Sequence, residues 1–248
     1  PCRRGSQRVP NKNTRSFAGI EGGLLRIKLE QLLACKKIDK IYLSSDDEVV
    51  QNIGRAMKDE RIVIDKRPDH LCQSSTSTDE VVNYVPELIK EDATIIWTHV
   101  TSPFLKAKTY DEMLDLYYKH LPECDSLMSV NELRTFIWNK GGAINYDRKL
   151  EKWPRTQTLE PWYEINSGVF IADRSIYEQL RDRVGKRPFL YPTSKIESFD
   201  IDWPEDFEMA EYIYRNIQQF ECGVYNLLNA HGRCGTQGGS LGHSAWCA

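Results

Sequence analysis

Nothing in the 248 residues approaches the run of roughly twenty apolar side chains that a membrane-spanning helix needs, so no membrane partner is expected. No secretory signal is visible in the residues given. Cysteine is sparse: seven, at 2, 35, 72, 124, 222, 234 and 247, odd in number and scattered. No C-x-x-C pair occurs, which argues against a zinc site and leaves a reduced, cytoplasmic protein as the simplest expectation. Excess charge is lacking too. A net charge of −3 gives no general attraction to nucleic acid or to an anionic surface, so no nucleic-acid partner is expected. No internal repeat divides the chain. What remains is the composition of a globular protein, 40% hydrophobic and 28% charged, long enough to bury a substantial core.

Strand and helix signals alternate along most of the chain. Apolar residues at 25, 29, 32 and 33 predict a helix over Leu24 to Leu33. Lys40 to Leu43 reads as a short strand, and Ser45 or Asp46 is then the expected cap of a helix carrying Val49, Val50 and Ile53. Arg61 to Ile64 is a second strand. Thr78 or Asp79 is the expected start of a helix through Ile89, weakened in its middle by Pro86. Ala93 to Val100 has no polar face, which suits the buried middle of a parallel sheet. A helix over 110–118, strands over 126–130 and 168–172 and a helix over 206–214 follow. The pattern predicts an α/β fold with a doubly wound, mostly parallel sheet in a single domain over 1–230. Ligands in such sheets sit beyond the carboxyl ends of the strands, which directs attention to the loops after Leu43, Ile64 and Val100. The alternation lapses over 131–166, which reads as a lid or dimerisation excursion, and the Gly-rich tail 231–248 reads as disordered.

The first thirteen residues carry the strongest chemical signal. Arg3, Arg4, Arg8 and Lys12 crowd round Gly5-Ser6, with Pro10 and Asn13 interleaved. Gly5 lets the backbone approach an anion and Ser6 adds a donor, so the segment reads as a phosphate-binding loop. Asp200 and Asp202 stand two apart in a segment read as β-type, which turns both carboxylates to one side and suits octahedral Mg²⁺ bound with phosphate oxygens and water. A phosphate loop and a paired-carboxylate metal site together suggest nucleotidyl transfer.

Several motifs then occur in order. Pro1 to Asn13 resembles P-A-R-x-G-S-x-R-x-P-x-K-N, Ser44-Ser45-Asp46 resembles S-T/S-D, and Arg67-Pro68 with Ser74 to Thr78 resembles R-P-x-x-L and its Ser/Thr-rich turn. His99 to Phe104 resembles Q-P-T-S-P-L, Pro154 to Gln157 resembles P-R-Q, Asn166 to Phe170 resembles N-G-A-I-Y, and Ser198 to Asp202 resembles S-I-D-I-D. These are the motifs of the cytidylyltransferases that activate nine-carbon sialic-type sugar acids, and more distantly of those that activate 3-deoxy-octulosonate. The resemblance covers roughly residues 1–220. It implies transfer of CMP from CTP to the anomeric hydroxyl of a 2-keto sugar acid, with Mg²⁺ as cofactor and a homodimer as the assembly. It also implies a strand that feeds the loop from the middle of the sheet, and the expectation is that residues ahead of Pro1 supply it.

By the same resemblance Arg3, Lys12 and Asp202 are the catalytic candidates, and Asp200 and Asp202 the metal ligands. Arg3, Ser6 and Lys12 hold the triphosphate. Asn13 and Arg67, with Ser75 and Ser77 near by, lie on the cytosine and ribose side, although a turn-forming role explains the two serines equally well. Arg155 is the candidate for the substrate carboxylate, because guanidinium binds carboxylate bidentately. Gln157, His99 and Asn166 are candidates for sugar hydroxyls. His99 stands where the family has Gln, and either reads a different substituent or is an ordinary polar group at a strand end. Two readings stay open beside this one: a nucleotidyltransferase for another base or a sugar phosphate, and a nucleotide-binding module without turnover.

Overall fold

The computed structural model describes residues 8–231, with side chains as far as residue 217. Arg3, Arg4, Gly5, Ser6 and the tail beyond His231 lie outside the described residues. The first half alternates α1 (Gly23–Leu33), β1 (Ile41–Ser45), α2 (Glu48–Ala56), β2 (Ile62–Lys66), α3 (Thr78–Leu88), β3 (Thr94–Thr98) and α4 (Ala107–His120). The second half holds β4 (Ser126–Leu133), β5 (Trp138–Asn139), β6 (Gly142–Ala143), β7 (Trp162–Asp173), α5 (Arg174–Leu180), β8 (Pro188–Pro192) and α6 (Pro204–His231).

Local chemistry fixes several of these boundaries. Gly23 opens α1 at a positive φ of 53°, and a Cβ there would lie 2.0 Å from the Arg15 carbonyl oxygen, so only glycine fits. α2 is capped by Asp47, whose Oδ1 accepts from the Val49 amide at 2.9 Å, and not by Ser45 or Asp46. Ser45 acts one step earlier, its Oγ accepting from the Asp47 amide. α3 begins at Thr78 as expected, because Ser77 and Glu80 form a reciprocal capping box. Pro86 falls in its last turn and not its middle, so the backbone bond it removes, to the Val82 carbonyl, leaves the preceding turns intact.

The fold is α/β, and its strands run mostly one way. β1 pairs with β2 in parallel, and β4 with β8 in parallel. The second sheet has the order β3-β7-β4-β8, and β7 runs antiparallel to both β3 and β4, which therefore share a direction. The edges of β1 and β3 border a cavity of about 510 Å³ between the two sheets, walled by Leu25 and Leu29 of α1 and Val85 of α3.

Three apolar clusters hold the layers. Leu25, Leu29, Leu43, Tyr110, Met113, Leu127 and Ile171 join α1 and α4 to the sheets. Val82, Val85, Ile95, Trp97, Phe170 and Tyr177 join α3 and α5 to the opposite face. Val9, Phe17, Leu24, Phe104, Ile201 and Phe207 form the third. Burying such side chains contributes roughly 1.5–3 kcal/mol each, so the third cluster binds the amino-terminal loop firmly to the segment before α6.

Within the excursion, β4 and β7 continue as a two-stranded ribbon from Val130–Ile165 to Leu133–Trp162. Beyond it Phe136 packs on Tyr146 and Trp153, and Arg148 lies between the rings of Trp138 and Trp153. Leu150, Trp153 and Ile165 remain exposed at 88%, 63% and 52%. Among the described residues no helix is long and apolar enough to cross a membrane.

Candidate functional site

Val9 is fully buried beside Ile201, so the end of the amino-terminal loop and the Asp200–Asp202 segment meet through their apolar residues. The loop closes as consecutive turns, with the Lys12 amide donating to the Val9 carbonyl and the Arg15 amide to that of Asn11, which sits at φ 51°. Lys12 thereby reaches the Asp200–Asp202 segment. Its Nζ donates to the Ile201 carbonyl at 2.6 Å and lies 3.4 Å from Asp202 Oδ1. Arg8 reaches the other oxygen of Asp202 at 3.1 Å and rests on the Trp203 ring.

The expectation of a β-type segment at Asp200–Asp202 is not met. Residues 199–202 belong to no strand. The segment is pinned by the Ile201 amide, which donates to the Thr101 carbonyl, and by the burial of the Ile201 side chain. Asp206 Oδ2 accepts from the amides of Asp202 and Trp203 and so fixes the turn into α6. A single anchored apolar residue between two carboxylates thus does the work assigned to a strand.

Asp200 and Asp202 differ in environment. Asp202 is half exposed between two cations. Asp200 is largely enclosed, and its Oδ1 is buried without a hydrogen-bond partner. Burial pushes the Asp200 carboxyl above the usual carboxylate range, aided by the charge of Asp202 and opposed by Thr101 and Lys12. A buried carboxylate oxygen lacking a donor, next to a second carboxylate, fits a hard cation that takes its remaining ligands from phosphate and water. No group of three or more His, Cys, Asp or Glu suited to a metal occurs among the described residues.

The loop after β3 is braced from α1. Lys28 Nζ donates to the Ser102 carbonyl and to the Tyr110 hydroxyl, both at 2.8 Å, and Gln31 donates to the Pro103 carbonyl. Burial drops the Lys28 pKa to about 7. The sequence reading missed Lys28, yet a signal was present: it lies three residues after Leu25 and four before Leu32, on the buried stripe of the helix.

A family model described as Cytidylyltransferase matches residues 1–226. The chain belongs to the cytidylyltransferase family. It is 26% identical over 215 residues to the N-acylneuraminate cytidylyltransferase of Streptococcus agalactiae serotype III (strain NEM316), covering 84% of this chain and 50% of that protein. The chain therefore spans about half the length of the first curated relatives it matches. It is 27% identical to the CMP-N,N'-diacetyllegionaminic acid synthase of Legionella pneumophila, covering 88% of this chain and 96% of that one. Among solved structures, a CMP:2-keto-3-deoxy-manno-octonic acid synthetase complexed with CTP shares the fold, with a TM-score of 0.59 at 15% identity over 86% of this chain and 95% of that one.

The remaining candidate residues are dispersed. Asn13 Oδ1 is buried without a partner at the end of the loop. Arg67 is buried, and its Nε and Nη2 donate to the Oγ and carbonyl of Ser44, so it ties the ends of β1 and β2 together. Ser77 is engaged in capping α3, and Ser75 is exposed. Asn166 uses all four of its hydrogen-bonding capacities internally: Ser129 Oγ and the Gly168 amide donate to its Oδ1, and its Nδ2 donates to Asn131 and Thr193. It fastens β7 to β4 and the end of β8. Arg155 and Gln157 are exposed on the excursion, and neither side chain bonds to another described residue. His99 directly follows β3, its Nε2 accepting from Trp97 Nε1 at 2.9 Å.

Proposed function

We propose that this chain transfers CMP from CTP to the anomeric hydroxyl of a nine-carbon 2-keto sugar acid of the sialic type, releasing pyrophosphate. The observation that carries this reading is Lys12 set against Asp200 and Asp202 through the Ile201 carbonyl, with a carboxylate oxygen left bare beside it. Family membership supplies the nucleotide, and relatives named for N-acylneuraminate and diacetyllegionaminic acid support the acceptor class.

In this reading the sugar hydroxyl attacks the α-phosphorus, the bond to the bridging oxygen of the β-phosphate breaks, and the hydroxyl proton is lost. Positioning and charge neutralisation dominate such a transfer. Lys12, with Arg3 and Ser6 of the loop, holds the triphosphate and meets charge developing on the α-phosphate. Asp200 and Asp202 hold Mg²⁺, which when bound polarises the α-phosphate and eases ionisation of the attacking hydroxyl. The bare Asn13 Oδ1 is an acceptor suited to the cytosine amino group. Arg155 and Gln157 act on the sugar acid from the excursion of the second subunit of a homodimer, whose contact is the exposed apolar surface around Leu150 and Trp153.

The test is pyrophosphate release with Mg²⁺ and CTP against a panel of 2-keto sugar acids, including 3-deoxy-octulosonate, with ATP, GTP and UTP as controls. Release with CTP and a nine-carbon acid is the expected result. Release only with 3-deoxy-octulosonate moves the assignment to the eight-carbon acids. Retained CTP binding without release overturns the enzymatic reading.

A further inference from the structure

Arg183 follows α5 and lies beneath the sheet. Its guanidinium carbon stands 3.8 Å from the centre of the Phe170 ring and 5.2 Å from that of Trp97. Its Nη1 approaches His99 Nε2 at 3.4 Å. No carboxylate lies within ion-pair distance of it among the described residues, although Asp182 and Asp79 are near enough to act through their fields. A partly desolvated cation without a counter-ion is costly, and ring faces offset only part of that cost.

His99 completes the arrangement. Trp97 Nε1 is a donor only, so His99 Nε2 carries the lone pair and the neutral ring bears its hydrogen on Nδ1. Burial, with Arg183, Lys28 and Lys12 adding their charges, lowers the His99 pKa to about 3, so the ring stays neutral at working pH. The Nδ1–H has no partner among the described residues. Two residues further on, the Thr101 carbonyl anchors Ile201 between the paired carboxylates. The cluster thus holds two separate donors, the guanidinium edge over the rings of Phe170 and Trp97 beside the buried Tyr177 hydroxyl and, on the far side of the imidazole, the Nδ1–H, next to the loop whose Thr101 holds Ile201.

We propose that the guanidinium edge of Arg183 binds an sp² oxygen of the sugar acid, with His99 Nδ1–H donating to a second acceptor of the same substrate, making Arg183 a substrate-positioning residue of this site. A guanidinium edge with no carboxylate partner selects such an oxygen, and a sugar acid offers it as its carboxylate or as the carbonyl of an acyl substituent. The inference rests on the sugar-acid reading above and adds the residue that reads the acid.

Steady-state kinetics of wild type, Arg183→Met and Arg183→Lys, with an N-acylated nine-carbon acid and its non-acylated counterpart, test it, with the thermal midpoint recorded for each. In the methionine variant the KM for the acid should rise about tenfold or more, as loss of a hydrogen bond to a charged group implies, while the KM for CTP holds. Lysine should recover part of the loss, because it keeps the charge without the fork. A rise confined to the acylated acid identifies the acyl oxygen, and an equal rise for both identifies the carboxylate. An unchanged acid KM overturns the role while leaving the enzymatic reading intact, and so does an equal rise for acid and CTP with a lowered thermal midpoint. Absence of turnover and of acid binding in the wild type overturns the enzymatic reading itself, and this role with it.

Discussion

The Lys12 ammonium donates to the Ile201 carbonyl at 2.6 Å, joining the amino-terminal loop to a residue 189 positions away. That bond holds the segment bearing Asp200 and Asp202, so in the proposed reaction Lys12 would act both on the phosphate and on the placement of the two carboxylates. Charged hydrogen bonds contribute about 1.5–3 kcal/mol. Lys12→Ala is therefore expected to lower kcat by roughly ten- to a hundredfold or more and to raise the Mg²⁺ concentration needed for half-maximal rate. Titrating Mg²⁺ at saturating CTP checks both effects. Full kcat in the variant would remove Lys12 from the reaction.

Asp200 and Asp202 should respond differently to amide replacement. Asp202 is half exposed, so Asp202→Asn is expected to abolish Mg²⁺-dependent turnover with little change in thermal midpoint. Asp200 carries a buried, unpartnered oxygen whose charge the metal-free fold pays to bury. Asp200→Asn should likewise lose turnover, yet raise the midpoint measured without metal. A lowered midpoint for Asp200→Asn would mean that its carboxylate is structural.

How much of this was legible in the chain follows from the range of the forces involved. Periodicity placed α1, β1, β2, α3, β3 and α4, because an apolar stripe reports its own burial. α5 and β8 left no comparable pattern and were missed; Pro188 and Pro192 at the ends of β8 obscure a strand that lies at a sheet edge. The motifs named Lys12, Asp200 and Asp202, and the fold brings these together. They also named Arg67, whose Nε and Nη2 donate to Ser44, and Asn166, which bonds to Asn131, Ser129 and Thr193. A hydrogen bond between residues 37 apart, such as that from Ser129 to Asn166, has no local signature in sequence.

Ser77 separates a capping role from a nucleotide role. Its hydroxyl oxygen accepts from the Glu80 amide, and Glu80 returns a carboxylate to the Ser77 amide. Ser77→Ala is expected to cost about 1 kcal/mol of stability, the usual value of an N-cap, with the KM for CTP unchanged. Denaturant unfolding and CTP titration distinguish the roles: a raised KM at unchanged stability would return Ser77 to the nucleotide site.

Lys28 gives the fold a pH dependence of predictable sign. Its pKa falls from 10.5 to about 7 on burial, whereas the unfolded chain titrates near the ordinary lysine value. Between those values the unfolded state binds a proton that the folded state has released, so stability rises with pH through this window. The gain is complete above pH 10.5 and is lost as pH falls to about 7. Lys28→Met removes the titrating group, and its stability should be flatter than that of the wild type between pH 7 and pH 10. The variant also loses the donors to Ser102 and Tyr110, so the slope with pH is the diagnostic quantity, independent of the absolute loss. Urea unfolding at a series of pH values measures it. Equal slopes in the two proteins would show that Lys28 keeps its charge in the folded state, stabilised there by the Ser102 carbonyl and the Tyr110 ring.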